Sequence, residues 1–514
     1  MRNVTIIGRI AAAILATAPV STALLALPAA AQTAPADEAV IRAAVPRIDA
    51  MFETFQKQNP TPGLVYGIVA NGKLVHVRGF GVQDMAEKRP VTADSLFRIA
   101  SMTKAFTALS ILSLRDAGKL SLDDLAEKYV PEMRGWKYPT ADSPRIRVRD
   151  LLNHTAGFVT DDPWGDRQQL LPEAEFTRMI RAGVPFTRAP GTAMEYSNFG
   201  YALLGRIVTN VSGMPYRTYV ERTILKPLGM TSTGYEVGEW PLARRAIGYR
   251  WENGAWLEEP TMKHGAFGAM GGLQVSANDY AKWVAFLLSG TPARDGADRG
   301  PVRRATLREM AEGSNFSRTR RRFGSTAQSG CVQSEAYGMG FRVAQDCQLG
   351  RMMHHGGGYP GYGSHVLLLP DYGVGLFVFT NRTYTGAADL AWDAAFLLND
   401  AGALTPRAIP VTPALARIHD QARAAYDSGD VTGLPLAMNF LMDRSAANWR
   451  TEFARLRGLV GECRRAEPLT ATGALSATFR WNCEKGMLDG QILLAPTTPV
   501  TLQALRFSVV PKQP

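Results

Sequence analysis

Ser101-Met102-Thr103-Lys104 follows Ser95-Leu-Phe-Arg-Ile-Ala100 and opens an apolar run from Ala105 to Leu114. Phe106, Leu109, Ile111 and Leu112 recur at helical spacing within that run. Gly118 supplies a C-terminal cap. The serine therefore stands at a helix start, and the lysine lies one turn on, on the same face. A hydroxyl becomes a competent nucleophile when a neighbouring base takes its proton. An amine is such a base once burial or nearby positive charge lowers its pKa. Free N–H groups at a helix start can also receive a developing oxyanion. Taken alone, the same four residues read first as an ordinary helix start with a solvated lysine.

Upstream, Ile41, Val45, Ile48, Met51 and Phe52 mark a helix to about Lys57, with Pro46 at a kink or first turn. Residues 63–70 and 73–79, joined by Asn71-Gly72, read as a β-hairpin. Downstream, Leu151-Leu-Asn-His-Thr-Ala-Gly157 is a helix end and a turn. Its His154 is either catalytic or a packed histidine bonded to backbone. Ala189-Pro190-Gly191 turns the chain into Tyr196-Ser197-Asn198 and an apolar helix. A phenol can move protons if cations depress its pKa, and an amide two residues on can accept from an ammonium. A packed tyrosine and a helix-capping asparagine explain that tripeptide as well. Gly271-Gly272-Leu273 can let backbone pass close to the site. Finally, His354-His355-Gly356-Gly357-Gly358-Tyr359-Pro360-Gly361 precedes two strands, 365–370 and 373–381. Such a glycine run packs poorly, but it lets a substrate lie against the backbone. A flexible loop with an incidental histidine pair is its other reading.

Residues 1–31 read as a secretory signal: Arg2 and Arg9, the apolar run Ile10–Leu27, then Ala29-Ala30-Ala31 for cleavage. A secreted protein of the bacterial periplasm is expected, without a stable membrane span after cleavage. The 514 residues, 46% hydrophobic, suit a large core and more than one domain and exclude wholesale disorder. The formal charge is +11, with arginines gathered between Arg294 and Arg322. That segment reads as a solvated loop, since no aromatic interleaving supports nucleic-acid binding. Cys331, Cys347, Cys463 and Cys483 suggest two disulfides. Of three pairings, Cys331 with Cys347 and Cys463 with Cys483 is the simplest. No zinc, redox or His-Glu-x-x-His spacing occurs, so neither metal nor cofactor is expected.

Ser101-x-x-Lys104, Tyr196-x-Asn198 and His355-Gly356-Gly357 stand in that order. Together they resemble the serine β-lactamase and penicillin-binding-protein superfamily, in the branch of class C β-lactamases, D-alanyl-D-alanine carboxypeptidases and family VIII esterases. Leu151–Gly157, Ala189-Pro-Gly191, Leu225-Lys-Pro-Leu-Gly-Met230, Gly271–Leu273 and Tyr359-Pro-Gly361 match as landmarks, from about Ala39 to Asn399. The resemblance implies an α+β fold, an antiparallel sheet flanked by helices with an all-helical subdomain. It implies that Ser101 is acylated, that Lys104 helps deprotonate it, and that Tyr196 shuttles protons. Asn198 would bind Lys104 and the acyl amide. His355 would replace the lysine of the class C Lys-Thr-Gly motif. Gly356 and Gly357 would line the substrate strand, with Gly358 and Ser101 N–H groups as the oxyanion hole. The histidine departs from class C and weakens the case for strong β-lactam hydrolysis. A protonated His355 would restore carboxylate recognition near its ordinary pKa.

Residues 404–514 lie outside the resemblance. Pro413 starts a helix to Tyr426, 449–459 is a helix or strand, and 475–483, 487–495 and 500–509 are strands. A small C-terminal α+β domain of unassigned role is expected, after a signal at 1–31 and a hydrolase domain at 32–403. The expected activity is ester or amide hydrolysis, on small esters or D-amino-acid peptides. A penicillin-recognising or peptidoglycan-binding protein, or a true β-lactamase, is the alternative.

Overall fold

The computed structural model describes residues 36–321, 332–385 and 387–511. The expected signal segment, Arg322 and Cys331 lie outside the described residues, so the pairing of Cys331 with Cys347 does too. The architecture is the mixed α+β arrangement expected from the sequence, built on a nine-stranded antiparallel sheet. Its strands are β1 (Gly63–Ala70), β2 (Lys73–Asp84), β3 (Arg89–Pro90), β4 (Asn315–Arg321), β5 (Val332–Tyr337), β6 (Arg342–Asp346), β7 (Gly350–Tyr359), β8 (Tyr362–Leu369) and β9 (Val374–Thr380). They lie in the order β3-β2-β1-β9-β8-β7-β6-β5-β4. The hairpin turn is the one its sequence demands: Asn71 and Gly72 both have positive φ, 53° and 79°.

β1 is buried at every position, because helices cover both faces of the sheet. Leu64, Tyr66 and Ile68 pack with helices α1 (Glu38–Gln58) and α5 (Ala388–Asp400). Val65 and Val69 join a second core with α2 (Lys104–Asp116), α3 (Asn198–Ser212) and α4 (Ala277–Leu288). Each such side chain contributes about 1.5–3 kcal/mol on burial. Helix α2 runs through this second core, buried from Lys104 to Leu112, with Phe106 stacked 3.9 Å from Trp283. It ends where Gly118 turns to φ +69° and donates to the Arg115 carbonyl at 2.8 Å.

The arginine-rich segment is not wholly a loop. Residues 315–321 form edge strand β4, and Arg318 meets the buried Glu335 of β5 at 3.1 Å. Arg342 and His354 bond the same carboxylate. The His354 hydrogen bond, and then the Arg342 and Arg318 charges, hold Glu335 low despite its burial, so these arginines are tied into the sheet.

Residues 413–511 build helices α6 (Pro413–Ser428) and α7 (Ala446–Val460) and strands β10 (Cys463–Ala466), β11 (Thr470–Gly473), β12 (Ser476–Cys483), β13 (Gly486–Ala495) and β14 (Thr501–Pro511). The ambiguous stretch 449–459 is helical. Odd positions Ala477, Phe479 and Trp481 of β12 face a core with Leu415, Tyr426 and Phe453. A disulfide joins Cys463 to Cys483 across β10 and β12.

Candidate active site

The turn before α2 carries Ser101. It is a 3₁₀ turn, Ala100–Thr103, entered through a left-handed Ala100 at φ +48°. A non-glycine residue there costs about 1–2 kcal/mol, and surrounding contacts enforce it. Ile99 donates to the Leu273 carbonyl, and Ser364 Oγ of β8 donates to the Ile99 carbonyl at 2.9 Å. Gly357 makes this approach possible: a Cβ there would stand 2.3 Å from the Ile99 oxygen.

Lys104 follows on the inner face, fully buried. Its Nζ donates to Ser101 Oγ (2.9 Å), Asn198 Oδ1 (2.7 Å) and the Met270 carbonyl (2.9 Å). Those three acceptors match the three protons of an ammonium. The rings of Tyr196 and Tyr201 lie 4.9 and 5.5 Å from Nζ. Burial pushes the lysine pKa down to about 8, against the opposing pull of Asp162, Asp166 and Asp161.

Tyr196 hydrogen-bonds Ser101 through its hydroxyl. Lost hydration, then Tyr337 and Asp162, push its phenol well above the ordinary value. This reverses the sequence expectation of a pKa depressed by cations, and Tyr196 stays protonated at neutral pH. The capping expectation also changes. Ser197 caps α3 by accepting from the Gly200 N–H, which leaves the Asn198 amide free for Lys104. Asn198 Nδ2 in turn donates to Asp162. Asp161 accepts from the Asn198 and Phe199 N–H groups at 2.6 and 2.8 Å, at the positive end of α3.

The glycine run is strand β7. His355 Nδ1 lies 2.6 Å from the Gly356 carbonyl and Nε2 lies 3.0 Å from the Tyr337 hydroxyl. A carbonyl only accepts, so Nδ1 carries the proton and Nε2 accepts from Tyr337. Burial first, then Lys104, hold His355 well below its ordinary pKa, so it is neutral in the physiological range. His355 is therefore not the charged carboxylate ligand that its sequence allowed but a neutral ring with both nitrogens engaged. Gly356 is exposed, Gly357 lies against the Ser101 turn, and Gly358 pairs with Gly363 of β8. The ring of Tyr384 covers Gly358, and its hydroxyl donates to Asp166 at 3.0 Å. Burial, then Asp162, push the Asp166 carboxyl up to about 7.

Ser101, Lys104, Tyr196 and Asn198 are thus joined by hydrogen bonds. His355 reaches them by ring contact, 6.3 Å from Tyr196. The cysteines are elsewhere, in the 463–483 disulfide and at Cys347. Among the described residues no group of three or more His, Cys, Asp or Glu is placed to hold a metal ion. Sequence reasoning missed Met270, Tyr337, Tyr384, Asp161, Asp162 and Asp166. Only the paired acids of Asp161-Asp162 offered any local signal.

A family model described as Beta-lactamase matches residues 48–400. The chain belongs to the Beta-lactamase family. That is a family of serine hydrolases that includes penicillin-binding proteins. Protein flp of Staphylococcus aureus (strain COL) is 29% identical over 65% of this chain, and the match spans 62% of that relative's length. Penicillin-binding protein 4* of Bacillus subtilis (strain 168) is 26% identical over 80% of this chain and 86% of its own. The octameric penicillin-binding protein homologue from Pyrococcus abyssi superposes with a TM-score of 0.59 at 20% identity, covering 90% of this chain and 99% of that one. A class C beta-lactamase gives 0.56 at 20% identity, over 71% and 97%. Those two likenesses speak for the fold. Among the described residues no helix is long and apolar enough to cross a membrane.

Proposed function

We propose that this Beta-lactamase family member hydrolyses an ester or amide through an acyl-enzyme on Ser101, with small esters and D-amino-acid peptides as substrates. The observation that carries this is Lys104: a buried amine 2.9 Å from Ser101 Oγ whose pKa is lowered to about 8. In its neutral form Lys104 takes the Ser101 proton as Oγ attacks the carbonyl carbon. The Ser101 and Gly358 N–H groups receive the oxyanion. Tyr196 gives its proton to the leaving alkoxide or amine and takes one back from the Lys104 ammonium; water then attacks the acyl carbon, its proton passes to Ser101 Oγ, and the acid leaves. Asn198 fixes Lys104.

The neutral, doubly engaged His355 favours this over strong β-lactam hydrolysis, because an uncharged ring stands where the class C motif carries a permanent cation. We further propose export after removal of residues 1–31, and a separate C-terminal domain at 404–514. The Cys463–Cys483 disulfide supports an oxidising compartment.

The test is hydrolysis of a short-chain p-nitrophenyl ester by the mature chain and by Ser101→Ala, with mass spectrometry of the trapped acyl-enzyme. Loss of turnover and of the acyl adduct in the variant is expected. Equal turnover in both proteins would refute Ser101 as nucleophile.

A further inference from the structure

His154 belongs to the Leu151–Gly157 landmark, and the proposed reaction gives it no task. Its placement does. The residue is 2% exposed and sits in the left-handed region at φ +61°. It grips the chain on both sides of Tyr196. The Glu195 N–H donates to the His154 carbonyl at 2.8 Å, and the Ser197 N–H donates to His154 Nδ1 at 3.1 Å. Between those two bonds, the Tyr196 ring lies 4.4 Å from the imidazole. Tyr337, the partner of His355, meets the same imidazole edge-on at 4.4 Å, and Tyr201 lies at 5.1 Å.

We propose that His154 is a positioning residue for the acyl-transfer reaction: its Nδ1, as acceptor of the Ser197 N–H, holds the Tyr196 hydroxyl on Ser101. The inference rests on Tyr196 acting at Ser101 as proposed above. An acceptor at Nδ1 places the ring proton on Nε2. Among the described residues that nitrogen has no hydrogen-bond partner, and aromatic rings surround the imidazole. Burial, then the charges of Lys104 and Arg342, hold the imidazole well below its ordinary pKa, which keeps Nδ1 free to accept. The turn beneath is pinned independently. Thr155 donates to the Asp150 carbonyl at 2.9 Å, and Gly191 donates to the Thr155 carbonyl at 2.7 Å. His154 therefore presents a fixed acceptor to the Ser197 N–H, the one backbone donor directly after Tyr196.

The chemistry of asparagine separates this reading from simple packing. Its Oδ1 can replace Nδ1 as acceptor, and asparagine is enriched in left-handed backbone. It lacks the ring. His154→Asn is expected to keep kcat for the p-nitrophenyl ester within about threefold of the native chain, while His154→Ala loses about 10- to 100-fold in kcat with KM little changed. In a Tyr196→Phe background, His154→Ala should cost almost nothing further, because the residue acts through the tyrosine hydroxyl.

Equal impairment of His154→Asn and His154→Ala would assign the role to the ring and overturn the proposal. So would additive losses in the double variant. A normal rate in Tyr196→Phe alone would instead defeat the proposed role of Tyr196. Crystal structures of the two His154 variants decide the positioning claim apart from any activity. The Tyr196 hydroxyl should leave Ser101 in His154→Ala and stay in His154→Asn; a tyrosine unmoved in His154→Ala would overturn it.

Discussion

The pH dependence of acylation follows from Lys104. Its amine is buried, saturated by three acceptors, and shifted down to about 8. Only the neutral amine can take the Ser101 proton. With a pKa of about 8, roughly a tenth of the molecules hold it neutral at pH 7. At the unperturbed 10.5 that share would be only about three in ten thousand, so burial raises the competent fraction about 300-fold. Measured as kcat/KM for a p-nitrophenyl ester from pH 5.5 to 10, the logarithm should climb with unit slope and bend near 8. Activity at pH 6 should be roughly one hundredth of the plateau. The bend belongs to the coupled set of Lys104, Tyr196 and the nearby carboxylates. Asp166→Asn should move it to lower pH, because it removes a charge that favours the ammonium. Lys104→Arg, which stays protonated, should be inactive. A flat profile between pH 6 and 9, a rate still climbing at pH 10, or an active Lys104→Arg would refute the reasoning.

Stability should carry the mark of Asp166. Its carboxyl titrates near 7 in the folded chain against 3.8 as its unperturbed value. The stability it contributes is present below about pH 4 and is lost as pH rises to 7, by up to about 4 kcal/mol. In urea titrations, Asp166→Asn should gain on the native chain as pH rises from 5 to 8; parallel curves would sink the assignment. Gly357→Ala forces a Cβ to 2.3 Å from the Ile99 oxygen, whereas at Gly356 the nearest atom is 3.5 Å away. Calorimetry should show Gly357→Ala destabilised by about 1–3 kcal/mol or more and Gly356→Ala near the native Tm. Loss of the Cys463–Cys483 bridge, which closes a separation of 20 residues, should cost about 3 kcal/mol in the C463S/C483S variant, read by denaturant unfolding of 404–514 signals.

Ser101 and Lys104 were legible because one helical turn relates them, and local periodicity is written in sequence. The Asn71-Gly72 hairpin, the terminal helices and the alternation of β12 were legible for the same reason. Lys104's third acceptor was not, since a backbone carbonyl such as that of Met270 has no sequence signature. Tyr337, Tyr384 and the three aspartates arrive from distant segments. Competition between neighbours decided two further points. Ser197 takes the cap and releases Asn198, and hydration loss at Tyr196 outweighs the lysine beside it. The arginines of β4 read as solvated because their partner, Glu335, approaches from the next strand.

The pairing of β1 with β9 has a consequence for how the chain comes into being. Leu64 faces Thr380 and Ala70 faces Val374, so an interior strand of the sheet waits for its second partner some 300 positions later. A ribosome adding 5–20 residues per second takes roughly 15–60 s to cover that distance. Throughout it, one edge of an otherwise wholly buried strand stands open. The same late segment completes the bond from Gly63 to Asn381 at 2.7 Å. Nascent chains halted before Thr380 should therefore be cut readily by proteases and should bind chaperones that read exposed valine- and leucine-rich strands. Release of β9 is the event that joins the β3-β2-β1 part of the sheet to the β8-to-β4 part.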